Sequence, residues 1–326
     1  MYILDKSKLK EGDILLTTQK HIVSKVIRTF TDSDFSHAML HVGGGSYIHS
    51  DGKGVHAGNL DRLLFKKPEY VKVLRISDST FKKHKEDACL YARREVGKEY
   101  SVRDAIKTKN PLSKKAESNR QFCSRLVAQS YADAGLQLVK NPLYCAPQEL
   151  DDSPYTEEVL NCVRKATEEE IIFANSENPL EKQANITNAI LKEFRVATGS
   201  DAQTFEQLLK VVFDNPNYDQ VASDILKKSD YLILWQNDIK KNPWRYNYDY
   251  FMSISSSKEE INEIANRELE RATNSKKRFV RQYEQHMILF RQKNLQYIAL
   301  QIMLYQKLIE NEDECIKIYT KILKDT

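Results

Sequence analysis

No apolar run in the chain approaches the roughly 18 residues that a membrane-crossing helix requires, which excludes a helical integral membrane protein. There is no CxxC pair, and the five cysteines (Cys89, Cys123, Cys145, Cys162 and Cys315) are scattered and odd in number. This argues against a zinc ribbon or a disulfide framework and for reduced thiols. No internal repeat is visible. The opening residues, Met1-Tyr2-Ile3-Leu4-Asp5-Lys6, meet charge at once and offer no secretion-signal apolar stretch. A cytoplasmic protein is expected, or one delivered to a host cytosol by a signal-free export system. Excess charge is also scarce. A net +4 over 326 residues is too little to suggest a nucleic-acid partner.

What is present is the composition of an ordinary folded protein, 41% apolar, 29% charged and 10% aromatic, with enough length for two domains. The charge divides unevenly. Residues 1–155 hold 26 Lys+Arg against 19 Asp+Glu, a net +7, and the remainder carries −3. The N-terminal part therefore favours anionic partners weakly.

The pattern changes near residue 155. Before it, Asp13–Thr18 reads as a buried strand and 20–30 as a helix by its apolar spacing. Ala38–Val42 reads as a strand turned by Gly43-Gly44-Gly45 into a returning strand at Ser46–His49. Val71–Ile76 alternates as a half-buried strand does. Thr80–Val96 reads as a helix stopped at Gly97, and Gln121–Ala134 as a helix stopped at Gly135. After Tyr155 no strand pattern remains, and helical periods run to Thr326. Ser257 with Glu260 forms a capping-box signature, and Pro179, Pro216 and Pro243 mark helix ends. The expected fold is α+β: a domain of antiparallel sheet and helices over 1–155, then an all-α domain of five to seven helices over 156–326. The aromatic run Pro243–Phe251 is expected to pack against the first domain. The polar segment 101–120, with Lys107, Lys109, Lys114 and Lys115, reads as a loop leading into Cys123, a solvated connection or a lid.

Chemistry concentrates in two places. Helical spacing puts Leu126, Val127, Ser130, Tyr131 and Ala134 on the face shared by Cys123, so the thiol points inward from the first helical turn. The helix dipole there lowers a thiol pKa, although a buried cysteine that only packs has the same pattern. Four of the seven histidines, His37, His41, His49 and His56, lie within twenty residues. His37, His41 and His49 could form a zinc site. Alternatively, His37 and His49 meet across one hairpin, as a general base and the group that orients it must do in a cysteine hydrolase.

Gly12-Asp13-Ile14-Leu15, Ser36-His37, Tyr47-Ile48-His49, Gly97-Lys98-Glu99-Tyr100, Phe122-Cys123-Ser124-Arg125-Leu126-Val127 and Pro147-Gln148-Glu149-Leu150 follow in this order. Together they resemble the circularly permuted branch of the NlpC-type papain-like hydrolases, the YiiX-like proteins, with the lecithin:retinol acyltransferase proteins as cousins. The resemblance covers about residues 8–155. It implies a permuted papain-like fold, Cys123 as nucleophile and His37 as base. His49 stands where the YiiX-like proteins tend to have glutamate and the cousins have histidine. Tyr100 matches a Gly-x-x-Tyr element and would line the substrate pocket. Arg125 replaces a common acidic residue and would alter the charge at the pocket mouth.

The implied activity is cleavage of an amide, ester or thioester through a Cys123 thioester acyl-enzyme, with no cofactor and no metal. A lipid-directed acyltransferase or hydrolase using the same site is the first alternative, and the basic N-terminal part would suit an anionic membrane surface. A non-catalytic protein that binds a protein partner through its helical domain is the second. The substrates expected are peptide, isopeptide or lipid-like acyl compounds.

Overall fold

The computed structural model describes residues 1–18, 35–76, 81–101, 104–105, 119–254 and 257–326. The helix expected at 20–30 lies outside them, as does most of the 101–120 segment with its four lysines. The chain forms two compact units, Met1–Ala184 with Gln203–Phe205, and Asn185–Ala202 with Glu206–Thr326.

The first unit contains β1 (Tyr2–Leu4), β2 (Ile14–Thr17), β3 (His37–His41), β4 (Ser46–Asp51), β5 (Gly54–Asn59) and β6 (Val71–Ile76). Helices α1 (Lys82–Arg94), α2 (Cys123–Asp133) and α3 (Pro147–Asp151) follow, then β7 (Thr156–Glu158), β8 (Val163–Lys165) and α4 (Glu168–Asn175). The strands form a six-stranded sheet ordered β5-β4-β3-β2-β6-β7 and a two-stranded sheet of β1 and β8, with antiparallel pairing throughout. Strands thus continue past residue 155. β7 and β8 are only three residues each, too short to leave an alternating pattern in the sequence.

Strand β2 explains how the sheet is held. Its four residues, Ile-Leu-Leu-Thr, are all buried, as an unbroken apolar strand requires when both faces of a sheet are covered. Ile14 and Leu16 join a cluster with Ala38, Leu40, Leu126 and Val127. Leu15, one step out of phase, joins the opposite cluster with Leu4, Met39, Phe65 and Val73. Helix α2 supplies Leu126 and Val127 and packs on α1, β3 and β4. Each such side chain contributes about 1.5–3 kcal/mol relative to exposure. Buried Asp13 accepts from Arg75 Nε at 2.8 Å and from its terminal nitrogen at 2.6 Å, tying the β2 entrance to β6. Gly43, Gly44 and Gly45 all take left-handed φ (82°, 59° and 71°), which lets the β3–β4 connection close at little steric cost.

His41 is a structural histidine. Its Nδ1 donates to Lys10 O at 2.8 Å, and its Nε2 is buried without a hydrogen-bond partner. Burial is the chief cause of a pKa below the usual value, opposed by the Lys10 carbonyl and the charge of Asp13. The unfolded chain therefore takes up this proton first. The stability tied to neutral His41 is complete above about pH 6.5 and is lost as pH falls through the lower folded-state value. His41→Gln should lower the urea midpoint less between pH 7.5 and 5.5 than the parent chain does. Equal drops would remove His41 from the acid response.

Past α4, the chain continues with α5 (Pro179–Thr198), α6 (Phe205–Asp214), α7 (Asp219–Lys228), α8 (Trp235–Lys241), α9 (Tyr248–Ile254), α10 (Lys258–Gln292) and α11 (Gln296–Asp325). Eight α-helices therefore follow residue 155 among the described residues, against the expected five to seven, because α8 and α9 are single short segments of seven residues. Ser257 caps α10, accepting from Glu260 N at 3.1 Å. Helices α10 and α11 run antiparallel, with Arg271 on Glu312 and Thr326 on Asn262. The aromatic run has packing partners within its own unit. Trp244, Tyr246, Tyr248 and Phe251 pack on Ile261, Ala265, Tyr319 and Ile322 inside the helical unit, where the small Ala265 leaves room for the rings.

Candidate active site

The β3–β4–β5 meander brings the histidines together. Met39 lies opposite His49 in the β3–β4 ladder, so His37, two residues before Met39, shares its face. The two rings meet, with His37 Nε2 and His49 Nδ1 2.8 Å apart. On the other side His56 of β5 lies directly opposite His49, and their ring centroids are 4.3 Å apart in an edge arrangement. Asp51, two residues past His49 on β4, accepts from His56 Nε2 at 3.0 Å and from Lys53 N at 2.8 Å. Four chemically active side chains thus share one sheet face in the order His37, His49, His56, Asp51.

Their environments differ. His49 is buried, and burial, joined by the charges of His37 and His56, pushes its pKa well down while Asp51 opposes. Burial works against the Asp51 carboxylate, but the His56 hydrogen bond and the charges of His49 and His56 hold it well below the usual carboxylate range. The spacing-based zinc set of His37, His41 and His49 is not assembled. His41 is engaged with Lys10 O. The cluster with metal-ligating geometry among the described residues is His49, Asp51 and His56, whose donor atoms lie within 4.8 Å of one another.

Cys123 is the first residue of α2, after an extended Phe122. It is buried, as its helical face implies. Ser124 Oγ anchors the helix start on Cys145 O at 2.7 Å, and Tyr131 OH donates to Gly12 O further along. Burial is the largest influence on the Cys123 thiol and pushes its pKa up, outweighing the backbone N–H groups of Ala38 and Ser124 that pull it down. The expectation that the helix terminus alone would favour a resting thiolate is therefore corrected, because desolvation of the charged form exceeds the dipole effect here. The Ala38 N–H also locates the thiol beside the strand residue that follows His37.

Tyr100 is half-buried and bridges in parallel to Gln121, with Ser101 N donating to Gln121 O at 2.8 Å. That bridge holds Tyr100 near the helix start. Burial raises its phenol pKa, and Cys123 and Asp51 add to the rise. Arg125 lines a pocket together with Arg120, Gln121, Gln129 and Tyr144. It is 3% exposed, and its guanidinium donates to Leu143 O at 2.8 Å, Arg120 O at 3.1 Å and Asp104 at 3.3 Å. It also lies over the Phe122 and Tyr144 rings. The inward face of α2 carries it into the protein, where it neutralises buried Asp104.

Asp51 and His56 were given no role by the sequence. The signal was available: Asp51 is at strand spacing from His49, and Asp51-Gly52-Lys53-Gly54 is a turn that returns His56 opposite His49. Ending the strand at His49 hid both.

No helix among the described residues is long and apolar enough to cross a membrane. A search of the curated proteins finds no match. Among solved structures, the chain is similar to the crystal structure of metalloprotein yiiX from Escherichia coli O157:H7, at 19% identity and a TM-score of 0.31, over 47% of this chain and 97% of that one. The family model described as permuted papain-like amidase enzyme, YaeF/YiiX, C92 family, matches residues 8–155, and this region of the chain is similar to that family of permuted papain-like amidases.

Proposed function

We propose that the chain is a cysteine hydrolase acting on an amide, with Cys123 as nucleophile, His37 as general base and His49 as the group that orients the base. The 2.8 Å bond between His37 Nε2 and His49 Nδ1 carries this reading. It holds the His37 ring through Nε2, and Nδ1 is assigned as the proton acceptor for Cys123, whose thiol sits by the adjacent Ala38 N–H. The base function requires a bare Nδ1, so His37 carries its hydrogen on Nε2 and donates to His49 Nδ1.

In this mechanism the Cys123 proton passes to His37 Nδ1 as sulfur attacks the carbonyl carbon. The oxyanion faces the Cys123 backbone N–H at the start of α2. The tetrahedral intermediate expels the amine, which takes the proton from His37, and a thioester remains. Water, giving its proton to His37, attacks the thioester, and the acid leaves as sulfur regains the proton. Ester and thioester substrates follow the same steps. Because burial disfavours a resting thiolate, proton transfer and attack belong to one event. Tyr100, near the helix start, is assigned to the pocket wall.

A small electrophilic thiol probe tests the assignment. All five cysteines are buried and free, so labelling reports activation more than exposure. Labelling should fall on Cys123 alone and slow by at least about tenfold in His37→Ala, since a positioned base contributes about 10²–10⁴-fold. Labelling that spares Cys123, or that is indifferent to His37, would reject the reading.

A further inference from the structure

We propose that His49, Asp51 and His56 form a site for a zinc-class divalent cation, and that filling it switches off the base, His37. The switching half of this proposal rests on the catalytic reading above; the site itself does not.

The donor set is two imidazoles and one carboxylate, the combination suited to zinc and its transition-metal neighbours and poorly suited to calcium or magnesium. It is built on adjoining strands in fixed register, with His49 and His56 directly opposite and Asp51 two residues along β4. His56 Nε2 and Asp51 Oδ1 are already 3.0 Å apart, close to the separation of two donors each about 2.0–2.2 Å from one ion. All three donors lie within 4.8 Å of one another, so small side-chain rotations complete the set. The outer shell is present as well. Lys53 N donates to Asp51 at 2.8 Å, and His56 Nδ1 lies 3.4 Å from Ala57 O, an acceptor for the ring hydrogen once Nε2 is on the metal. His37 plays the same part for His49. There is also an entry path, since the Asp51 side chain is 39% exposed and His56 17%, while His49 forms the buried end.

The consequence follows from where hydrogens must sit. His49 Nδ1 is taken by His37, so the metal takes His49 Nε2. That nitrogen must give up its hydrogen, and the neutral ring then carries one on Nδ1, which donates to His37 Nε2. His37 in turn holds its hydrogen on Nδ1, the nitrogen assigned above as the base. The hydrogens balance: one leaves His49 Nε2, one crosses the His37–His49 bond, and one arrives at His37 Nδ1, with none released. A His37 ring in that tautomer cannot accept the Cys123 proton. The ion blocks the reaction without touching sulfur.

The experiment uses the full chain, free of chelators, with Zn²⁺ and with Co²⁺ as a spectroscopic stand-in. Binding is measured first on Cys123→Ala, so that the nucleophile cannot serve as a ligand. One-to-one binding is expected, with cobalt ligand-field bands but no thiolate charge-transfer band. Affinity should fall at least about tenfold in Asp51→Asn and His56→Ala, judged against the cost of losing a metal-supporting group. Absence of binding, a thiolate band, or binding unchanged in both variants would overturn the site. The second arm follows alkylation of Cys123 in the parent chain. Zn²⁺ should slow it at least tenfold, and Asp51→Asn and His56→Ala should shift that inhibition to higher Zn²⁺. Binding without slowing would overturn the switch while leaving the site. Alkylation indifferent to His37 before any metal is added would instead be a failure of the catalytic reading.

Discussion

Replacing Cys123 by Ala should abolish turnover, by at least about 10³-fold on any amide, ester or thioester the parent chain cleaves, while leaving the fold in place. The size follows from the nucleophile's role: without it no acyl-enzyme forms, and what remains is catalysis by binding and oxyanion stabilisation. The fold should survive because the change removes one sulfur atom from the first turn of α2, and the helix keeps Leu126, Val127 and Tyr131 in the core. The Ser124–Cys145 anchor is also untouched. A loss of about 1 kcal/mol is expected for so small a cavity. Rates on a substrate panel and a urea melt check both halves together. Cys315→Ala is the control, since that thiol packs with Tyr319 and Phe251 in the helical unit and its loss should leave the rate alone. Retention of activity in Cys123→Ala would end the assignment of this residue as nucleophile.

Arg125→Leu should cost about 3–5 kcal/mol of stability, the range for breaking a buried ion pair by removing one member. The substitution takes the guanidinium from Asp104, whose carboxylate side chain is 6% exposed, and removes a donor from Leu143 O and from Arg120 O. Lysine should recover little, because one ammonium cannot span three acceptors set around a planar fork. Adding Asp104→Asn to Arg125→Leu should restore part of the loss, since the stranded charge is then gone. Urea midpoints of the four chains test this as a double-mutant cycle. The rival outcome is equally clear: an unchanged midpoint with a KM raised tenfold would make Arg125 a substrate-binding residue, as its neighbourhood in the sequence suggests.

These two residues show what a linear reading can and cannot supply. The helix that begins at Cys123, the β3–β4 hairpin and the pairing of His37 with His49 were legible, because periodicity and a glycine turn fix which side chains share a face over short distances. The same local logic would have reached Asp51 and His56 had the strand been carried through to Asp51. β7 and β8 were not legible. Three-residue strands are specified by the edges they pair with, β6 and β1, and not by their own pattern. The aromatic run at 243–251 announced a packing surface, but which surface depended on the α10–α11 pair and the small residue Ala265.

The sequence by itself determined the β3–β4 hairpin, a thiol facing inward from a helix start, and two histidines within reach of each other. Tertiary structure decided everything that depends on solvent and on distant charge. Whether the helix terminus or burial governs the Cys123 thiol is a contest between a local dipole and the water excluded by packing, and burial prevails. Which carboxylate Arg125 pairs with depends on Asp104, twenty-one residues away. Which histidines form a cluster depends on a third strand, β5, and on Lys10 O, which engages His41. Periodicity encodes facing; only the folded chain sets desolvation and the partners that answer it.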